Sequence, residues 1–371
     1  MNFAHDDQRQ MLADMLNRFI ADRADLEARN AATAAREGYD TAVWAGLAEL
    51  GVIGALVDAD AGGFGGTGFE IMILFEALGR GLVTGPFLDA LLASRILAAA
   101  GGFQDVLDRV ISGQTVVAFA HHEPDGRYDL DQVETRAVRD GDGWRLDGAK
   151  AVVAHAGSAH QFLVSARSDT GDLLLLLVPA DAPGLRVRDY ANIDGGRAGE
   201  LTLMGVTIGA DARVGMEENA AALIETAYNA ALLALSAEAL GAAETATSAT
   251  IDFLRVRQQF GVALGSFQAL QHRMADVMID KEQLRSAVIN AAAALDQDRQ
   301  ACGRAASAAK YTAGKVGASI AEEAIQLHGG IGMTWELPVS HYAKRLIMID
   351  HQFGDQDHHL ARYIALGADA N

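Results

Sequence analysis

The chain has 371 residues, 50% of them hydrophobic, enough to bury a large core and more than one compact domain usually holds, so two or three domains are expected. A formal net charge of -19 lacks the basic footprint that nucleic acid or an anionic membrane surface requires. A single cysteine, Cys302, excludes an internal disulfide and any multi-cysteine metal site.

The chain opens MNFAHDDQRQ, with acids in place of the basic start and apolar run of a signal peptide, and with one cysteine this leads to an expected cytoplasmic location. Residues 1–112 have helical periodicity: Met11, Leu12, Met15, Leu16, Phe19 and Ile20 form one face, and Val43, Trp44, Leu47 and Leu50 another. Within this segment GGFGGTG puts Gly63, Gly65 and Gly68 at the spacing of a dinucleotide-binding loop. That fingerprint has meaning only between a strand and a helix, whereas helices precede this loop and FEIMILFEALGR follows it. A nucleotide site is therefore not expected here.

Near Gly113 the pattern changes. TVVAFAH, TRAVRD, GWRLDGAKAVVAH, QFLVSARS, LLLLLVPA and ELTLMGVTI are short, β-branched or alternating, and separated by Gly, Asp, Ser and Pro, which predicts six or more strands over 113–215. LLLLLVPA is far too short to span a membrane. From Met216 to the end at 371, alanine-rich helical stretches return, and their Leu, Ile and Val spacing suits a packed four-helix bundle. Helices, then strands, then helices, without alternation, make the fold α+β.

The stretch IDFLRVRQQFGVALGSFQALQHRMAD, 251–276, reads as helix, turn, helix, broken at Gly261, Gly265 and Ser266. Arg257, Gln259, Phe260 and Gln268 crowd the break, where helix ends leave backbone donors free and a guanidinium can clasp a phosphate. An anion site and a plain polar connection both fit the spacing. RxQFG with FQALQHRMAD, and IQLHGGIGMTWELPV at 325–339, resemble the two C-terminal signatures of the acyl-CoA dehydrogenase family, in order and at the family's distance. The resemblance covers the whole chain and is strongest to small subunits of the pimeloyl-CoA dehydrogenase type, whose pattern includes the ending FGDxDHH. It implies an N-terminal helical domain, a middle β-barrel-like domain and a C-terminal four-helix bundle. It also implies FAD as cofactor, an acyl-CoA substrate and an electron-transfer flavoprotein as acceptor. By the same resemblance Arg257, Gln259, Phe260, Gln268, Gln326, Gly329 and Gly330 bind the FAD of a neighbouring subunit.

The family's glutamate base takes an α-proton from the thioester, a task for which burial raises a carboxyl pKa usefully. In register with the second signature, the usual base position is Phe353, and the family's alternative base position on the preceding long helix is Ala231 or Leu232. None of these can accept a proton. Asp355 is a weak local candidate, and Glu238 reads as structural. Asp357, His358 and His359 are poor metal-ligand geometry, so no metal is expected. In the β-domain the family's flavin-edge hydroxyls are replaced within His121–Asp129, and its ring-backing Trp-x-Thr becomes Val152, Val153 and Ala154 after Gly148 and Lys150. The resemblance therefore implies a subunit that completes the FAD site of a second, catalytic dehydrogenase subunit in a heterotetramer. The alternative is a self-sufficient homotetramer with an unusual base such as Asp355.

Overall fold

A computed structural model describes residues 6–216 and 220–368. Helices α1 (Asp7–Arg23), α2 (Leu26–Ala34), α3 (Thr41–Glu49), α4 (Gly68–Gly81), α5 (Phe87–Ala100) and α6 (Gln104–Ile111) come first. Their starts follow local chemistry: the Asp6 side chain accepts from the Arg9 N–H ahead of α1, and Asp40 accepts from Ala42 and Val43 ahead of α3. The glycine loop before α4 folds on itself. A Cβ at Gly63 or Gly65 would collide with the backbone carbonyls of Val57 or Ala55, and one at Gly68 with the carbonyl of Ala292. Its glycines thus serve close packing within the chain.

Eight strands follow: β1 (Val117–Ala120), β2 (Arg136–Asp140), β3 (Gly143–Ala154), β4 (Gln161–Arg167), β5 (Leu173–Pro179), β6 (Leu185–Ala191), β7 (Arg197–Ile208) and β8 (Arg213–Val214). They form one sheet ordered β6-β7-β3-β2-β4-β5-β8, with β1 added parallel to β4. Leu173 to Val178 are buried throughout, which explains why β5 reads as a continuous apolar run. Strand β6 is absent from the runs expected from sequence. Its residues LRVRDYA are exposed or half-buried at a sheet edge, so no apolar alternation marks them.

The C-terminal helices are α7 (Ala220–Val256), α8 (Gln268–Ala294), α9 (Arg299–His328), α10 (Pro338–His351) and α11 (Gln356–Ala368). α9 packs against α8, α10 and α11. The turn expected between α7 and α8 is more elaborate than a loop. It contains a two-stranded hairpin, β9 (Gln258–Gln259) with β10 (Val262–Ala263), and a 3-10 turn over Leu264–Ser266. α7 is long and apolar enough to cross a membrane, yet 78% of its most apolar stretch is buried inside the protein.

By contacts the chain gathers into two compact units. One comprises residues through Arg29, Thr67–Val83 and the chain from Leu232; the other comprises Asn30–Gly66 and Thr84–Ala231.

Candidate flavin-binding and acyl-CoA site

In the first unit, the hairpin between α7 and α8 turns on Phe260 and Gly261, with φ of +56° and +83°. A two-residue turn with both centres left-handed matches the twist of a hairpin, but a phenylalanine is strained in a conformation that asparagine or glycine adopts easily. Phe260 is 90% exposed and meets the Phe267 ring edge, 6.2 Å away between centroids. Arg257, Gln259 and Gln268 are exposed around it. Phe267 heads α8 without a side-chain cap, leaving the positive end of a long helix open beside the hairpin.

The second signature joins this face. Phe253, one turn before Arg257, packs on His328 with ring centroids 4.4 Å apart, and His328 leads directly into Gly329 and Gly330. Gln326, Gly329 and Gly330 are exposed, and a Cβ built on either glycine would meet nothing within 4 Å. The seven residues named from sequence thus cluster around two adjacent helix ends on one open face. A guanidinium, amide side chains and uncapped helix N–H groups suit a diphosphate arriving from outside the chain.

The same unit carries Phe353, which the sequence resemblance puts at the base position, half-buried and with φ +57°. The connection from α10 to α11 is gripped from behind. Lys310 on α9, fully buried, donates to the carbonyls of Gly354 (2.6 Å) and Asp350 (3.0 Å), and His359, fully buried, bonds the Phe353 carbonyl at 3.0 Å. Burial lowers the Lys310 amine to about 8 against the opposing pull of Asp350 and Asp355, and burial next to that cation pushes His359 down to about 2. Asp355 accepts from the His358 N–H at 2.9 Å and so caps α11, which accounts for this acid without chemistry. Glu238 forms a two-point ion pair with Arg345, at 2.6 and 2.7 Å. Ala231 and Leu232 are fully buried core. Among the described residues no cluster could hold a metal ion. The Lys310 grip escapes sequence reading because its lysine sits in AASAAKYTAG, where the carbonyls it serves lie some forty residues downstream.

In the second unit, Lys150, fully buried, donates to Glu123 (2.7 Å), the Ser165 hydroxyl (3.0 Å) and the His121 carbonyl (3.1 Å). The Ser165 hydroxyl, which accepts from that amine, also bonds His121 Nδ1 at 2.9 Å. Burial, with His122 and Lys150 adding to it, pushes the His121 pKa well below the usual range, and burial lowers Lys150 to about 8 against the pull of Glu123. Glu123 also accepts from Thr135 Oγ1 (2.6 Å), the Thr135 N–H (3.0 Å) and the Glu134 N–H (2.8 Å). These groups are therefore committed to one another. Val152, at a β-bulge in β3, has φ +53° and is 64% exposed. A β-branched residue there is a marked outlier, held by the bulge; the sequence resemblance puts it where a ring-backing tryptophan is expected, and valine is too small to cover a flavin ring. On fit to FAD the two sets divide: the hairpin face offers exposed donors, while the strand-end set offers a committed network and a short side chain.

Three domains and this residue pattern define an acyl-CoA dehydrogenase fold. The chain matches the acyl-CoA dehydrogenase N-terminal domain over residues 6–102, the middle domain over 118–206 and the C-terminal domain over 221–360. It belongs to the acyl-CoA dehydrogenase family, whose enzymes act on the CH–CH bond of acyl-CoA with FAD. Acyl-CoA dehydrogenase IpdE2 of Mycobacterium tuberculosis is 30% identical over 343 residues, 91% of each chain. The solved structure of a single-residue variant of the Tcur3481-Tcur3483 steroid ACAD has TM-score 0.89 and 32% identity over 98% of each chain. The ChsE4-ChsE5 complex of Mycobacterium tuberculosis has TM-score 0.90 and 27% identity, covering 100% of this chain and 99% of that one.

Proposed function

We propose that this chain is the base-lacking subunit of a heteromeric acyl-CoA dehydrogenase, completing with its hairpin face the FAD site of an unlike, catalytic subunit. The observation that carries this reading is Phe260, held left-handed and 90% exposed beside Arg257, Gln259 and Gln268, with the edge of the Phe267 ring as its contact in its own chain. Strain of this kind persists where a contact uses it. The absence of a carboxylate at Phe353, Ala231 and Leu232 supports the second half of the reading. Two similar solved assemblies, the Tcur3481-Tcur3483 steroid ACAD and the ChsE4-ChsE5 complex, are each named for two proteins, which supports an unlike partner, and the first, a steroid ACAD, supports a bulky, steroid-type acyl group.

Held at this face, FAD would supply the acceptor for the β-hydride of the acyl-CoA, with an electron-transfer flavoprotein to reoxidise it. This chain's own contribution is to neutralise the diphosphate with Arg257 and the α8 terminus, and to cover the nucleotide with Phe260. The α-proton is taken by the partner. Co-purified with a neighbouring dehydrogenase subunit, the complex should contain one FAD per pair of unlike chains. The chain purified alone should be nearly colourless and inactive with acyl-CoA and a ferricenium acceptor. One FAD per chain, with turnover by this chain alone, would instead identify a self-sufficient homotetramer.

A further inference from the structure

The loop that leads from Gly330 to α10 carries three large apolar residues close together. Ile331, Met333 and Trp335 are all exposed, Met333 by 75% and Trp335 by 60%. A lone exposed hydrophobe calls for no explanation, but Trp335 is also held in place by its own chain. His341, fully buried on α10, donates from Nε2 to the Trp335 carbonyl at 2.9 Å and meets the indole edge-on, with ring centroids 5.1 Å apart. Arg29, also buried, donates to Nδ1 of that imidazole at 3.1 Å. Lys344, one turn further along α10, lies over the indole with its Nζ 3.3 Å from the ring centroid. An exposed indole fixed in this way has little conformational entropy left to lose on docking.

We propose that Trp335, with Met333 two residues before it, is the anchor by which this chain grips the unlike catalytic subunit, seated in an apolar pocket on that subunit's surface. The proposal rests on the reading of the chain as a subunit that completes a neighbour's FAD site, and it names what holds the neighbour there. A flavin carried by another subunit meets Gly329 and Gly330 only if that subunit's surface arrives with it. From Gly330 to Trp335 the chain spans at most about 18 Å even when fully extended. A standard interface covers about 800 Å² on each partner, a patch roughly 30 Å across, so the tryptophan falls within reach of the same contact. A second copy of this chain would bring Val152 and the committed Lys150 network in place of a flavin-holding surface, which favours the unlike subunit. Tryptophan at such a position supplies a large share of an interface's affinity.

The test is the dissociation constant between the full-length chain and the neighbouring dehydrogenase subunit with which it copurifies, measured by sedimentation velocity with FAD in excess. Trp335→Ala should weaken it by about thirtyfold or more, the size of a hot-spot truncation, and Trp335→Phe, which keeps an apolar ring, should recover part of that loss. Met333→Asp sets a charge into the contact and should weaken it by at least about tenfold. Each variant alone should melt with the wild type, since both side chains are largely exposed. At subunit concentrations above its raised constant, Trp335→Ala should regain one FAD per unlike pair, because Arg257 and the α8 terminus are untouched. A Trp335→Ala constant within about threefold of wild type overturns the anchor, and if that variant fails to fold, the same result for Met333→Asp does so. Lost self-association of the chain alone, with the unlike pair unaffected, also overturns it and makes a second copy the occupant. A wild-type chain that forms no flavin-bearing pair sinks the subunit reading instead, so the two failures are distinguishable.

Discussion

Arg257 stands exposed at the start of the hairpin, and among the described residues it makes no ion pair. An unpaired guanidinium beside an uncapped helix start is matched by a diphosphate, and a charge-assisted pair of this kind contributes roughly 1.5–3 kcal/mol, or about ten- to a hundredfold in affinity. Arg257→Ala should therefore lower FAD content of the complex while leaving the circular dichroism and melting temperature of this chain unchanged. Arg257→Lys should restore only part, because an ammonium keeps the charge and loses the planar fork. Unaltered flavin content in Arg257→Ala would return the arginine to a plain surface role. Lys150 shows the opposite condition of a cation. Its three donors are all used inside the β-domain, so replacing it would unfold that network before it touched any ligand.

The helices are set by small residues at crossings. A Cβ at Gly79 of α4 would collide with the Glu238 carbonyl of α7, and one at Gly241 of α7 with the Glu76 carbonyl of α4, so the two backbones touch at reciprocal glycines. Around that crossing Glu76, Arg80, Glu244 and Arg285 form a partly buried ion network tying α4, α7 and α8. Gly241→Ala forces the helices apart although alanine is the better helix former. The expected loss is on the order of 1–3 kcal/mol, read as a lower urea midpoint, because overpacking outweighs the propensity gain of about 1 kcal/mol. A midpoint at or above wild type would mean the crossing yields. Such packing explains what is legible in sequence. Long alanine-rich helices announce themselves by periodicity, and the two signatures mark Arg257, Gln259, Phe260, Gln268, Gln326, Gly329 and Gly330 as a set, to which the folded chain adds the Phe253–His328 contact that joins them. Edge strand β6 does not announce itself, since its arginines face solvent and leave no alternation. The hairpin at Phe260 reads as a mere turn because two-residue strands carry no period. The grip on Phe353 needs coordinates, as Lys310 and the carbonyls it holds meet only in the folded bundle.

At the scale of the molecule, burial of neutral bases sets the response to pH. His121 bonds the Ser165 hydroxyl at Nδ1, and His341 accepts from Arg29 at Nδ1 and donates to the Trp335 carbonyl at Nε2; burial lowers the pKa of both and takes His359 to about 2. In the unfolded chain each titrates near 6.5, so below that pH the unfolded state binds protons that the folded state refuses. The sign follows: stability is fully present above about pH 6.5 and is lost as pH falls, by roughly 1.4 kcal/mol per unit for each histidine that stays neutral. The net charge of -19 acts the other way as carboxylates protonate toward about pH 4 and self-repulsion eases, and Glu76, raised by burial, opposes the histidines from above the ordinary carboxylate range, so the acid limb is the sum of these. On the alkaline side Lys150 and Lys310, lowered to about 8, again leave the unfolded state holding more protons up to their ordinary range near 10.4, and stability rises further. Tyr190, raised to about 12 by burial and the Glu200 carboxylate, reverses the trend once unfolded tyrosines ionise near 10. Urea midpoints should therefore climb from pH 5 to a maximum at roughly pH 9–10, well above the pI near 4.9. His359→Gln keeps a donor for the Phe353 carbonyl and removes one titrating group, so it should flatten the acid limb by about one proton's worth of slope. A midpoint that is level between about pH 5 and 7, or an acid limb unchanged in His359→Gln, would show that these histidines protonate in place.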